Sequence, residues 1–237
     1  MKVFFRKLIL GRPTVDRKPT EGAIQKRIRN IEAIFNNDHD DDIGLEKMLR
    51  LFLSISQLLF LGTYVKQLFY KKGIAKQELA VDMYVVVKVC FPIMILITNT
   101  QQNHFCYFLN LWFLFETMLY VPAQIFASDL YSRPRSYRRS MLLLFLNYFE
   151  IVLCFGVIYA QGQYLNSPFV GWFDPIYFSI MTSATVGYGD YYPVTTFGKF
   201  LVSAQSVLFL IFVVLFLNFY SNKVEHHGYF DHNNDPL

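Results

Sequence analysis

Residues 185–190 read TVGYGD, and this hexapeptide constrains the architecture more than any other segment of the chain. It consists of Thr185, Val186, Gly187, Tyr188, Gly189 and Asp190. Gly187 and Gly189 alternate with larger residues, and glycine adopts left-handed backbone conformations without steric cost. A backbone that alternates in this way points successive carbonyl oxygens to one side. The two glycines are therefore at the positions that a loop lined by backbone oxygens would require, with the side chains of Val186 and Tyr188 turned away from those oxygens.

The segments around the hexapeptide predict two helices of different length. Asp174-Pro175 is typical of a helix start, since Asp is a strong N-cap and Pro is favoured at the first helical position. A helix over residues 175–184 would be about 15 Å long, half the depth of a bilayer core. Residues 197–220 form an apolar run that is long enough to cross a membrane with some tilt. The predicted order is a half-length helix, a loop and a spanning helix.

The composition is typical of a membrane protein. Hydrophobic residues make up 54% of the chain and aromatic residues 18%, more than one soluble core of this size needs. Five apolar stretches follow one another at residues 49–69, 82–98, 105–127, 141–160 and 197–220. We therefore predict an all-α membrane protein in which about three further membrane helices precede the pair that flanks the hexapeptide.

In these features the chain resembles the tetrameric potassium channel family, whose selectivity filter carries the sequence TVGYG. The resemblance covers an outer helix, a pore loop and an inner helix over about residues 141–220, with an additional N-terminal membrane bundle. It implies that the backbone oxygens of residues 185–189 replace the hydration shell of K⁺. One loop cannot encircle an ion, so the resemblance also implies four copies, as a homotetramer or a heterotetramer with related chains.

The same resemblance assigns roles to residues near the filter. Asp190 would lie at the outer mouth, and Tyr177 and Thr182 would support the filter from the pore helix. The function it implies is passive, K⁺-selective conduction, with membrane lipid and K⁺ as partners, no nucleic acid, no cofactor and no enzymatic activity. Two alternatives stay open, namely a non-conducting or modulatory subunit of a heteromeric cation channel and a less selective cation channel.

The inner helix departs from the family pattern because residues 206–211 contain no glycine at which the helix could bend. Phe212, Phe216 and Phe219 instead recur at positions i, i+4 and i+7. One hypothesis is that Phe212 and Phe216 form a hydrophobic gate that closes by dewetting. The alternative is that these rings face lipid or neighbouring helices.

The number of spans follows less clearly from the sequence than the pore does. If the filter faces outward from the cell membrane, the tail after residue 222 and the arginine-rich link before Met141 are cytoplasmic, as the positive-inside rule expects. Five spans would then place the basic N-terminus outside, against the same rule. The stretch 49–69 could instead be interfacial or re-entrant, and division of residues 105–139 at Pro122 would give six spans.

The predicted organisation has five parts. They are an N-terminal basic segment with an amphipathic helix (1–48), membrane helices (49–127), a basic cytoplasmic linker (128–140), a pore domain (141–222) and a cytoplasmic tail (223–237). Within the pore domain we predict the outer helix at 141–161, the pore helix at 175–184, the filter at 185–190 and the inner helix at 197–220.

Three charged residues fall within apolar stretches. Lys88 and Glu116 are predicted to pair or to face the bundle interior, because an isolated charge in the bilayer is costly. Glu150 is either a buried carboxyl group that contacts polar groups of a neighbouring helix or a residue with a regulatory role. The amphipathic helix around Ile28 would lie on the inner membrane surface or on a partner, or would dock on the protein itself.

Overall fold

The computed structural model describes residues 21–36, 44–126 and 137–221. At residues 124–126, 137 and 216–221 it describes the backbone alone. Predictions for the remaining residues, including most of the basic linker and the tail, lie outside the described residues. In the described part, regular structure is helical, apart from one isolated bridge between Leu165 and Pro193. The predicted all-α class is confirmed.

Eight α-helices occupy the described ranges. They are α1 (Ala23–Phe35), α2 (Gly44–Ser56), α3 (Leu61–Leu68), α4 (Ile74–Ile97), α5 (His104–Phe126), α6 (Tyr137–Gln161), α7 (Asp174–Ser183) and α8 (Thr196–Ser221). Helix α6 begins four residues before the predicted outer helix, so its first turn falls in the predicted linker. Helix α7 has the half-length expected of residues 175–184.

Four of these helices, α4, α5, α6 and α8, are long and apolar enough to cross a membrane. Helix α2, with the 3₁₀ turn after it, and α3 form a pair bent by 60°, which is a fifth, broken span or a re-entrant segment. The chain is therefore a multi-pass membrane protein. Helix α5 runs through Pro122, so the division at Pro122 that would give six spans is not seen.

Helix α6 is the centre of the packing. It contacts α4, α5, α7 and α8. Of its most apolar stretch, 56% is buried within the chain, against 22% for the corresponding stretch of α8. Its buried residues Cys154, Phe155 and Tyr159 form a core with Phe178 of α7 and Leu201 of α8. One copy therefore covers α6 well and leaves most of α8 uncovered.

The N-terminal helix docks on the chain's own bundle. Helix α1 packs against α2 and α3, Ile34 is buried, and the Ile24 amide donates a hydrogen bond to Gln67 Oε1 at 3.3 Å. Of the arrangements predicted for this helix, the structure has the one docked on the protein itself. Ile28 and Phe35 remain exposed.

The buried charges form contacts between helices. Lys88 Nζ lies 3.2 Å from Glu150 Oε1 and donates a hydrogen bond to Thr117 Oγ1, which in turn donates to Glu150 Oε2 at 2.6 Å. The partner of Lys88 is thus Glu150, not Glu116. Glu116 is also buried, and it accepts hydrogen bonds from the Leu61 and Gly62 amides at the start of α3. The prediction that Lys88 and Glu116 face the interior is confirmed.

Candidate functional site

Helix α7 is fixed at its first residue by a carboxylate. Asp174 Oδ2 accepts hydrogen bonds from the amides of Gly171 at 2.8 Å and Val170 at 2.9 Å. The hydrogen bond from Gly171 is the main reason that the pKa of Asp174 lies below its usual range, and the bond from Val170 acts in the same direction. The N-cap position falls on Phe173, so Asp174 ties down the preceding loop where a helix cap was expected. Pro175 follows in the first turn.

The other end of α7 leads directly into the 185–190 loop. The Thr185 amide donates to the Thr182 carbonyl at 3.1 Å, and the Val186 amide donates to the Met181 carbonyl at 3.0 Å. This pair of bonds is a Schellman motif, in which the residue after the cap takes a left-handed conformation. That residue is Thr185, with φ of 54°. Thr182 was predicted to support the loop. In the structure it contacts the loop through its backbone carbonyl, which accepts the hydrogen bond from Thr185.

The backbone of the loop alternates in handedness. The φ angles are 54° at Thr185, 60° at Gly187 and 83° at Gly189, while Val186 and Tyr188 between them are not among the positive-φ residues. A row of carbonyl groups on one side of a loop requires an alternation of this kind. An added Cβ at Gly187 or Gly189 would meet nothing within 4 Å, so these positions need glycine for its conformation and not for space.

The two large side chains of the loop are exposed in the single chain. Tyr188 is 72% exposed and Val186 45%. Large apolar side chains on both flanks are also exposed, among them Trp172, Phe173, Val194, Phe197 and Phe200. An exposed apolar surface of this extent is typical of a contact with another protein or with lipid.

The segment after the loop is anchored by Asn166, from the connection between α6 and α7. Its Nδ2 donates to the Asp190 carbonyl at 3.1 Å, and its Oδ1 accepts from the Tyr192 amide at 2.9 Å. The Asp190 carboxylate in turn accepts a hydrogen bond from Tyr177, which raises the pKa of that phenol. Asn166 was missed from the sequence, because its contacts lie more than twenty residues away and no local pattern marks it.

Of the two gate candidates, Phe212 and Phe216, the structure describes the side chain of Phe212. Phe212 is 2% exposed, with its ring centroid 5.7 Å from that of Tyr148 on α6. Its ring therefore packs on a neighbouring helix of the same chain, which is the arrangement of the alternative left open above. The side chains of Phe216 and Phe219 lie outside the described residues.

Comparison with known proteins identifies the part of the chain that contains the 185–190 loop. The family described as "Ion channel" matches residues 147–226, which include most of α6, all of α7, the 185–190 loop and α8. "Putative potassium channel protein YugO" of Bacillus subtilis is 38% identical over 58 residues, which are 24% of this chain and 18% of that protein. No solved structure matches. The chain thus contains an ion channel domain.

Proposed function

We propose that the ion channel domain of residues 147–226 conducts K⁺ selectively and passively across a cell membrane, through a pore built by four copies. The observation that carries this proposal is the alternating backbone of residues 185–189. A K⁺ ion that enters a narrow pore loses its water and needs oxygen ligands in return. Carbonyl groups turned to one side of a loop supply them, and the loop is then the selectivity filter.

Four copies follow from the incompleteness of one. A single filter has oxygens on one side of the ion only, so copies must surround a common axis. The exposed Val186 and Tyr188 side chains are available to pack against a neighbouring copy, as are the apolar side chains beside them. Chains closely related to this one would fit the same surfaces and give a heterotetramer.

The electrostatics of the site favour a cation. The C-terminal end of α7, the pore helix, carries partial negative charge and leads into the filter. Asp190 adds a carboxylate at the opposite end of the filter, on the side away from the pore helix. We further propose that this side is extracellular, which leaves Arg138 and Arg139 at the start of α6, and the tail, on the cytoplasmic side, in agreement with the positive-inside rule.

Reconstitution of the purified chain in planar bilayers tests the proposal. With K⁺ and Na⁺ gradients set independently, the reversal potential should follow the K⁺ gradient, at about 59 mV for each tenfold ratio. A reversal potential that follows both gradients would indicate a less selective cation channel. Assembled protein that carries no current alone would indicate a modulatory subunit, and either result would overturn the proposal.

Two glycine variants test whether the filter is the conducting element. Gly187 and Gly44 both have positive φ, of 60° and 67°, and an added Cβ meets nothing within 4 Å at either position. Alanine therefore introduces a similar backbone strain of about 1–2 kcal/mol at each. We expect Gly187→Ala to abolish K⁺-selective current and Gly44→Ala to retain it. Equal currents from the two variants would contradict the assignment of the filter.

A further inference from the structure

We propose that Gln205 of α8 is a positioning residue for the filter, because its side-chain amide fixes the end of the pore helix from which the filter starts. This inference rests on the proposed function. It adds to it a residue outside the filter on which selectivity depends.

The contacts of Gln205 join three helices. Its Nε2 lies 2.6 Å from Ser183 Oγ, 2.7 Å from Ser179 Oγ and 3.0 Å from the Ser179 carbonyl oxygen. Its Oε1 accepts a hydrogen bond from the Tyr159 hydroxyl of α6 at 2.7 Å. Ser179 also donates to the carbonyl of Val152 on α6 at 2.5 Å. The outer helix α6, the pore helix α7 and the inner helix α8 therefore meet at one polar cluster.

The orientation of the Gln205 amide is determined by its neighbours. A carbonyl oxygen only accepts hydrogen bonds, so the NH₂ group must face Ser179. The amide oxygen then faces Tyr159, whose hydroxyl donates to it. Both ends of the amide are satisfied in this orientation, and rotation by half a turn would set two oxygens against each other.

The cluster is buried, so its polar groups depend on the hydrogen bonds they make with one another. Gln205, Ser179, Ser183 and Tyr159 are each at most 1% exposed. The neighbouring positions of the same α8 face are filled by apolar residues such as Leu201 and Phe212, which pack against α6 and α7 without polar groups. A buried amide is costly unless it is hydrogen-bonded, and this one is bonded at both ends.

The position of the cluster explains why it acts on the filter. Ser183 is the last residue of the pore helix, two residues before Thr185, and the Schellman bonds make that turn continuous with the filter. A tilt of the last turn therefore displaces the first oxygen ligands. Gln205 opposes that tilt by bonding the last turn at two residues, from the helix behind it.

A pair of matched variants of the full-length chain tests this role. Gln205→Met keeps the length of the side chain and removes its hydrogen bonds. Gln77→Met makes the same change at a buried glutamine of α4, whose Nε2 donates to the Lys66 carbonyl at 2.8 Å. In reconstituted bilayers we expect Gln205→Met to retain K⁺ current and to lower the K⁺/Na⁺ permeability ratio about tenfold. Gln77→Met should stay within about twofold of wild type.

A double-mutant cycle separates positioning from simple filling of space. Ser183→Ala removes one acceptor of the Gln205 amide, so its effect on the permeability ratio should disappear when Gln205→Met is already present. Tyr159→Phe removes only the hydroxyl that donates to Oε1 and should lower the ratio in the same direction. These two variants also serve if Gln205→Met does not assemble.

The outcomes that overturn the inference are distinct from those that overturn the proposed function. A wild-type protein without K⁺ selectivity contradicts the proposed function. A selective wild type with an unchanged ratio in Gln205→Met contradicts only the role of Gln205. So do additive effects in the cycle, or unchanged ratios in both Ser183→Ala and Tyr159→Phe.

Discussion

Thr185 is the residue at which helix α7 gives way to the proposed filter. A β-branched residue in a left-handed conformation is strained, and the usual occupant of this place in a Schellman motif is glycine. The two hydrogen bonds to Met181 and Thr182 hold the conformation. In return the position carries a hydroxyl group that glycine lacks, at the inner end of the row of carbonyl groups.

Asp174, at the opposite end of α7, gives a prediction about pH. Because its pKa in the folded state is lowered, the stabilisation it provides is present above the ordinary value of about 3.9 and is lost only as pH falls through the lowered value. Hydrogen exchange at the Val170 and Gly171 amides should therefore remain slow at pH 5, and should be about tenfold faster in Asp174→Asn, where the acceptor is neutral.

The backbone amide of Asn166 is the internal control for that measurement. It donates to the Tyr192 carbonyl at 3.0 Å and has no carboxylate partner, so its exchange should not change in Asp174→Asn. Protection of Gly171 that was lost already at pH 6 would contradict the lowered pKa.

At the scale of helices, α6 is the element that connects the N-terminal bundle to the ion channel domain. Its side chain Glu150 meets Lys88 of α4 and Thr117 of α5 in the interior. Nearer its first turn, Arg139 binds Asp82 of α4 at 2.6 Å, with both side chains about one-third exposed. The same two helices are thus joined by one buried and one accessible ion pair.

These two pairs should differ in their contribution to stability. Lys88→Met leaves the Glu150 carboxylate buried without its partner and should lower the free energy of unfolding by about 3–5 kcal/mol. Addition of Glu150→Gln should recover most of that loss. Arg139→Met, between the same helices, should cost at most about 1 kcal/mol. Denaturant unfolding in detergent measures all four proteins, and equal losses from Lys88→Met and Arg139→Met would refute the distinction.

Several elements could be predicted from the sequence because their signals are local. The alternating glycines, the Asp174-Pro175 helix start and the apolar runs each lie within a few residues of the structure they specify. The partner of Lys88 and the surroundings of Phe212 could not be predicted in the same way. Helical periodicity tells which residues share a face, but which neighbour covers that face depends on packing between distant segments. Asn166 and Gln205 were missed for the same reason.

At the scale of the whole molecule, a single chain leaves many large apolar side chains exposed. Helix α6 is largely covered, whereas α8 and the filter present apolar side chains to their surroundings. Helices α2 and α3 pack against α5 and α4, respectively, and α4 and α5 both contact α6. We propose that the uncovered faces of α7 and α8 meet the neighbouring copies around the pore axis.

The assembly should depend on the ion that it conducts. Native mass spectrometry should give a particle of four times the 27.9 kDa of one chain, because the proposed pore needs four copies of the 185–190 loop around each ion. An ion bound by all four copies stabilises only the assembled state, so the tetramer should dissociate at a higher temperature in K⁺ than in Na⁺. Gly187→Ala should lose this difference and Gly44→Ala should keep it. A stable dimer, or equal stability in the two salts, would contradict the arrangement.

The sparse cover of α8 also has a consequence for biogenesis. If four copies build the pore as proposed, a newly inserted chain keeps residues 185–190 and helix α8 open to lipid until other copies arrive. Assembly is then the final step of folding, and its yield depends on how many chains share one patch of membrane. In that case single chains would stay accessible to membrane chaperones and proteases until they assemble, and the rates of synthesis and degradation together would determine the number of finished pores.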